Sequence, residues 1–166
     1  AMNITAVSHV FFDWGDTVMV DDPTAAAPML DWQIVTAVEG IREVLARCKS
    51  AGKFVALATN AAVSEEEQIR MALARVGLEA YFDRIYCFKN TGLAKGEAFY
   101  RHLLQDLNLQ PEQALMIGDS FEKDVRQANM AGIPAIWFNP KTDEVKSAPL
   151  HTTAHSMKEI ERILAE

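Results

Sequence analysis

The chain has 166 residues, 49% of them hydrophobic and 23% charged, with a formal net charge of −7. This length supports a single core domain over residues 1–166, and the composition is that of a folded globular protein rather than a disordered or fibrous one. The negative balance and the scattered basic residues argue against a general nucleic-acid binder. No apolar run approaches the ~18 residues that span a bilayer.

Ala1-Met2-Asn3 lacks the basic and apolar regions of a signal peptide, and its leading Ala-Met resembles an expression scar, so a cytoplasmic location is the default expectation. Cys48 and Cys87 lack metal-ligand spacing and read as small buried residues of a reducing compartment.

The first element is an apolar run over 7–12, the length of a buried strand, that stops on Asp13-Trp14-Gly15-Asp16-Thr17. A carboxylate at the end of a buried strand is costly without a partner or a metal. The same residues also make good turn chemistry, so an ordinary strand with an Asx-type turn stands beside the reading of an active-site aspartate. Residues 18–38, with Asp21-Asp22-Pro23 and Ala25-Ala26-Ala27-Pro28, form an irregular loop.

Apolar spacing at 41, 44, 45 and 48 predicts a helix that Ala51-Gly52 stops. A second strand over 54–58 ends on Thr59-Asn60. Ser64 and Glu67 make a capping box for the next helix, which reaches Gly77. A third strand covers 84–88, and Lys89 to Gly92 is a loop. Lys95 opens a helix with Phe99, Leu103, Leu104 and Leu107 on its apolar face. A fourth strand over 114–117 ends at Gly118-Asp119-Ser120, Ser120 caps a helix over 121–131, and a fifth strand covers 133–138. The tail over 141–166 is polar, with a short helix from 157 to 164. Strands alternating with helices predict a five-stranded parallel sheet between two helical layers, a Rossmann-like α/β/α fold.

In such a sheet the strand C-termini share one edge. That edge collects Asp13, Thr59, Lys95, Asp119 and Asp124: a carboxylate nucleophile, a hydroxyl donor, a fixed cation and an acidic pair. The inventory fits magnesium-assisted phosphoryl transfer through an aspartyl phosphate.

Over 7–138 the sequence resembles the haloacid dehalogenase superfamily of phosphohydrolases. The most specific segment is Ile117-Gly118-Asp119-Ser120-Phe121-Glu122-Lys123-Asp124, which is similar to that family's Gly-Asp-x-x-x-x-Asp metal motif. The resemblance implies that Asp13 is the nucleophile and a Mg2+ ligand, with the Gly15 backbone carbonyl and Asp119 as further ligands. It implies that Asp124 supports the metal, its waters or Lys95, and that Thr59, the Asn60 backbone and Lys95 hold the phosphoryl oxygens. A receiver-type signalling domain uses similar residues but places its acidic pair on the first strand.

Two departures from the family pattern stand out. Gly15 occupies the position where phosphatase members carry the acid–base aspartate, and Gly96 follows the lysine where many have proline. Asp16, one residue beyond Gly15, is the candidate replacement acid, with bracing of the turn as its alternative role. Residues 18–38 are too few for a helical cap, so an open, capless site is expected, with Trp14, Met29 and Trp32 either packing the loop or lining the entrance. The expected function is a Mg2+-dependent phosphohydrolase restricted towards good leaving groups, acting on a phosphorylated small molecule or macromolecule, possible as a homo-oligomer. The alternative is a weakened relative that binds a phosphorylated ligand or protein. Displacement at carbon, as in dehalogenases, ranks lower because it needs an enclosing cap and does not need the metal acids.

Overall fold

The centre of the computed structural model, which describes residues 2–166 and so leaves Ala1 outside, is a sheet built from the apolar runs. The strands are β1 (His9–Phe12), β2 (Phe54–Ala58), β3 (Arg84–Tyr86), β4 (Ala114–Gly118), β5 (Ala135–Phe138) and β6 (His151–Ala154). All pair in parallel, in the order β3-β2-β1-β4-β5-β6. The chain therefore reverses its direction of growth beside β1, between β2 and β4.

Helices α1 (Ile41–Ser50), α2 (Glu66–Arg75), α3 (Phe88–Thr91), α4 (Glu97–Leu107), α5 (Gln127–Met130) and α6 (Met157–Leu164) complete the fold. Successive strand side chains point to opposite faces. Val10, Phe12, Leu57 and Ile117 accordingly pack with α1, α2 and α6, while Phe11, Ala56 and Met116 pack with α4 and α5. Both faces are covered, which is why β1 and β4 read as continuous apolar runs without alternation.

The ladder continues one residue past the central strands. Asp13 N–H donates to the Ile117 carbonyl and Thr59 N–H to that of Tyr86, both at 2.9 Å, which fixes the two polar tips to the sheet.

The sheet has six strands rather than five. β6 lies in the polar tail, where a half-buried edge strand of sequence His-Thr-Thr-Ala has no apolar run to reveal it. The capping box of α2 is Glu65 with Gln68, not Ser64 with Glu67, because Ser64 is buried one position ahead of the cap. β3 ends at Tyr86, and Cys87 and Asn90 cap the short α3 where a loop was expected. The expected helix over 121–131 begins as a wide π-type turn, Phe121–Arg126, that runs into α5.

The 18–38 segment folds back on the sheet. Val38 N–H donates to Val18 O at 2.9 Å and Val20 N–H to Thr36 O at 2.8 Å. The Arg75 guanidinium binds the carbonyls of Leu30, Trp32 and Gln33, pinning the loop to α2. Met29 is buried and Trp32 packs on the core. Among the described residues no cap domain stands over the strand tips.

Candidate active site

Asp13 follows β1 directly, so its carboxylate stands at the centre of the carboxyl edge. Lys95, in the loop before α4, reaches it with Nζ 2.6 Å from Asp13 Oδ1 and 2.7 Å from Asp124 Oδ1. The lysine side chain is only 2% exposed and that of Asp124 1%, so these are buried ion pairs that hold one another charged. Asn60, from the tip of β2, positions the lysine: its Oδ1 accepts the Lys95 backbone N–H at 2.8 Å.

The spacing from Gly118 to Asp124 has a steric cause. The π-type turn folds Asp124 back over Gly118, and a Cβ at residue 118 would overlap the Asp124 carboxylate. Asp124 Oδ2 accepts the Ser120 N–H at 2.9 Å, leaving Oδ1 for Lys95. Ser120 Oγ in turn accepts the Lys123 N–H, closing the turn. Asp119 is anchored through its backbone carbonyl, which accepts the Trp137 indole N–H at 3.0 Å.

One oxygen each of Asp13, Asp119 and Asp124 lies within 4.8 Å of the others. Three hard oxygen donors so close together suit a magnesium-like cation. Their protonation reflects the crowding. Burial pushes the Asp13 carboxyl up, but Lys95 and the hydrogen bond with Asp119 outweigh it and hold Asp13 below the ordinary carboxylate range. Burial, then the bond to Asp13 and its charge, push Asp119 up to about 8. Burial and the Asp13 charge push Asp124 up to about 6 despite Lys95. Burial lowers the affinity of Lys95 for its proton, yet the two carboxylates more than reverse that.

Asp13, Trp14, Gly15, Asp21, Thr59 and Asn60 line one cavity of about 440 Å³, and Met29 and Trp32 border it as well as packing the loop. Thr59 Oγ1 accepts the Ala61 N–H at 3.1 Å, which leaves its proton free to donate. A neighbouring cavity of about 800 Å³ is lined by Asp16, Asp119, Lys141, His155 and Lys158 among others. Asp16 thus borders that second space and not the one around Asp13. Its backbone is left-handed, with φ 60°, and its Oδ1 accepts the Asp21 N–H at 3.0 Å, so the carboxylate braces the loop.

Several residues carry roles that the sequence pattern did not mark. Thr17 is fully buried and its hydroxyl lies 3.3 Å from both Asp13 Oδ2 and Asp119 Oδ1, joining the two acids. Tyr100, on the buried face of α4, donates to the Lys123 carbonyl at 3.0 Å and ties that helix to the π-type turn. Asp21 lines the Asp13 cavity from the 18–38 loop; burial, together with Asp16 and Asp13, raises its carboxyl above the ordinary value, although the Asp22 N–H bond opposes this. An acid at the position of Asp21 is also ordinary turn chemistry, so only its tertiary placement distinguishes it.

Fold and site define a Rossmann-like α/β protein with a metal-competent acid cluster at the carboxyl edge of its sheet. Residues 19–138 match the family described as haloacid dehalogenase-like hydrolase, and the chain belongs to that family. Pyrimidine 5'-nucleotidase PynA of Streptococcus pneumoniae is 39% identical over 70 residues, 41% of this chain and 30% of its own. Phosphoserine phosphatase of Thermus thermophilus is 33% identical over 96 residues, 57% of this chain and 37% of its own. The chain spans about a third of the length of these two relatives. A crystal structure of an uncharacterized Listeria monocytogenes protein superimposes with a TM-score of 0.81 at 29% identity, covering 96% of this chain and 97% of that one.

Proposed function

We propose that the protein is a Mg2+-dependent phosphohydrolase that moves the phosphoryl group of a phosphorylated small molecule first to Asp13 and then to water. The observation that carries this reading is the Asp13 carboxylate: it is 2.6 Å from a buried lysine and opens on the cavity that also holds Thr59 and Asn60. The names of the relatives, a nucleotidase and a phosphatase, support it.

Lys95 keeps Asp13 ionised, which a nucleophilic carboxylate requires. Its contact is to Oδ1, so Oδ2, which the Thr17 hydroxyl reaches at 3.3 Å and Lys95 leaves unpaired, is the oxygen that attacks phosphorus. The Thr59 hydroxyl, the Asn60 backbone and Lys95 receive the phosphoryl oxygens and fix the group in line with Asp13. The residues fit Mg2+: Asp13, Asp119 and the Gly15 carbonyl would hold it directly, with Asp124 behind them. When bound, it would offset the negative charge that the phosphoryl group brings to an acidic site. Asp16 acts as a brace for the loop rather than as an acid.

The test is a panel of phosphate monoesters with and without Mg2+, run on the wild type and on Asp13→Asn. Hydrolysis that needs both the metal and Asp13 is expected, with Asp13→Asn at background. A protein that binds the esters but hydrolyses none would support the second reading, a phosphoryl-ligand binder, which the absence of a carboxylate at Gly15 favours.

A further inference from the structure

Gly15 has an ordinary backbone conformation, so its lack of a side chain is not required by its torsion angles. What fills the space beside it is Asp21. A Cβ built on Gly15 would lie 3.2 Å from Asp21 Oδ2 and 3.3 Å from the Asp21 Cβ and Cγ. The room that a side chain at residue 15 would enter is therefore occupied by a carboxylate delivered from six residues further along the chain. We infer that Asp21 is the acid–base residue of this site, donating a proton to the leaving-group oxygen from the place where Gly15 offers none. The inference rests on the phosphohydrolase reading above.

The loop is built to hold that carboxylate in place. Asp16 Oδ1 accepts the Asp21 backbone N–H at 3.0 Å, and Asp21 Oδ1 accepts the Asp22 N–H at 2.9 Å. Asp22 Oδ1 is itself tied to the Thr24 backbone at 3.0 Å. One oxygen of Asp21 is thus committed to the loop, and the other, Oδ2, is the one that faces Gly15. Asp21 also lines the same cavity as Asp13, Thr59 and Asn60. It is exposed, so it can exchange its proton with water between turnovers.

The chemistry closes without a further reagent. An Asp13 oxygen forms a bond to phosphorus as the ester P–O bond breaks, and the Asp21 proton goes to the departing oxygen, releasing an alcohol. Water then attacks phosphorus, its proton passes to the Asp21 carboxylate, and the bond between phosphorus and Asp13 breaks. Phosphate leaves and Asp21 is again protonated. Asp16 is a positioning residue in this scheme, acting through the backbone of Asp21.

The experiment compares wild type, Asp21→Asn and Asp13→Asn in Mg2+ with p-nitrophenyl phosphate and β-glycerol phosphate, following both product release and the intact mass of the protein. The asparagine keeps the size of the side chain and the acceptor for the Asp22 N–H. With the aryl ester, which leaves without help, Asp21→Asn should release one equivalent of nitrophenol in a burst. It should then stall about 10²–10⁴-fold below the wild-type steady rate, with one phosphoryl group retained on the protein. With the alkyl ester it should lose about 10²–10⁴-fold and show no burst. Wild-type rates on both esters would overturn the assignment of Asp21 alone. A variant with no burst on the aryl ester would overturn it too, since phosphorylation of Asp13 by that ester needs no acid. Failure of the wild type to hydrolyse either ester, or equal rates for Asp13→Asn, would instead overturn the phosphohydrolase reading beneath it.

Discussion

Lys95 is the residue on which the charge balance of the site turns. Its ammonium lies 2.6 Å from Asp13 and 2.7 Å from Asp124, with all three side chains largely removed from water. Lys95→Met keeps the apolar stem but leaves two buried carboxylates facing each other without a cation. Loss of one partner from a buried ion pair costs about 3–5 kcal/mol, most of it from the stranded charge rather than the missing contact. The variant should therefore be destabilised by that order in urea unfolding at pH 7.5. Both acids become easier to protonate once the lysine is gone, so the deficit should shrink as the pH is lowered to 5.5. A deficit independent of pH would assign the loss to packing instead.

At the scale of the element, the π-type turn over Phe121–Arg126 does what a regular helix would not: it returns Asp124 to the strand that launched it. Gly118 is the condition for that return. Gly118→Ala would set a Cβ inside the Asp124 carboxylate, and because the backbone on the other side is β4, the carboxylate must move. Overpacking of this kind costs about 1–3 kcal/mol. The displaced Asp124 would also abandon the Ser120 N–H and Lys95. Gly118→Ala should accordingly lower the urea midpoint and weaken Mg2+ binding in isothermal titration, whereas a helix-surface change such as Met130→Ala should do neither.

Elements of this kind also mark how far the sequence was readable. β1, β2 and β4 were legible because strands buried on both faces leave unbroken apolar runs with abrupt polar ends. The same ends marked Asp13, Thr59 and Asp119, and the motif spacing marked Asp124. β6 was not legible, because an edge strand of histidine, threonines and alanine satisfies its backbone in the sheet without needing an apolar sequence. Thr17 and Asp21 stayed hidden for another reason. Thr17 meets Asp13 through the local turn in which the Thr17, Val18 and Met19 N–H groups return to the Trp14 carbonyl. Asp21 reaches Gly15 because the 18–38 loop folds back through backbone bonds such as Val20 to Thr36, bonds that any residue can make.

For the whole molecule, the acids gathered at one edge of the sheet couple stability to pH and to metal. Asp119 is pushed up to about 8 in the folded chain from an ordinary 3.8, by burial and by Asp13. A carboxyl whose folded value is raised binds its proton more tightly folded than unfolded. Its contribution to stability is complete below the unfolded value and is lost as the pH rises through the folded one. The histidines with resolved shifts, His9 and His151, are both lowered from 6.5, so they are already neutral above that pH. Both cysteines are raised from 9.0, so they stay protonated below it. Between pH 6.5 and 8.5, then, Asp119 is the group expected to titrate most. In EDTA the protein should lose stability across this interval, read as a falling urea midpoint. Mg2+ held by the ionised cluster would compete with its protons, so added Mg2+ should stabilise more at pH 8.5 than at 6.5 and flatten the profile, by mass action on the folded state alone. Asp119→Asn should be much flatter, with only the upper tail of the Asp124 titration left near pH 6.5, and should respond little to Mg2+. An unchanged pH profile in that variant would move the titration to another group, and an unchanged Mg2+ response would remove Asp119 from the metal site.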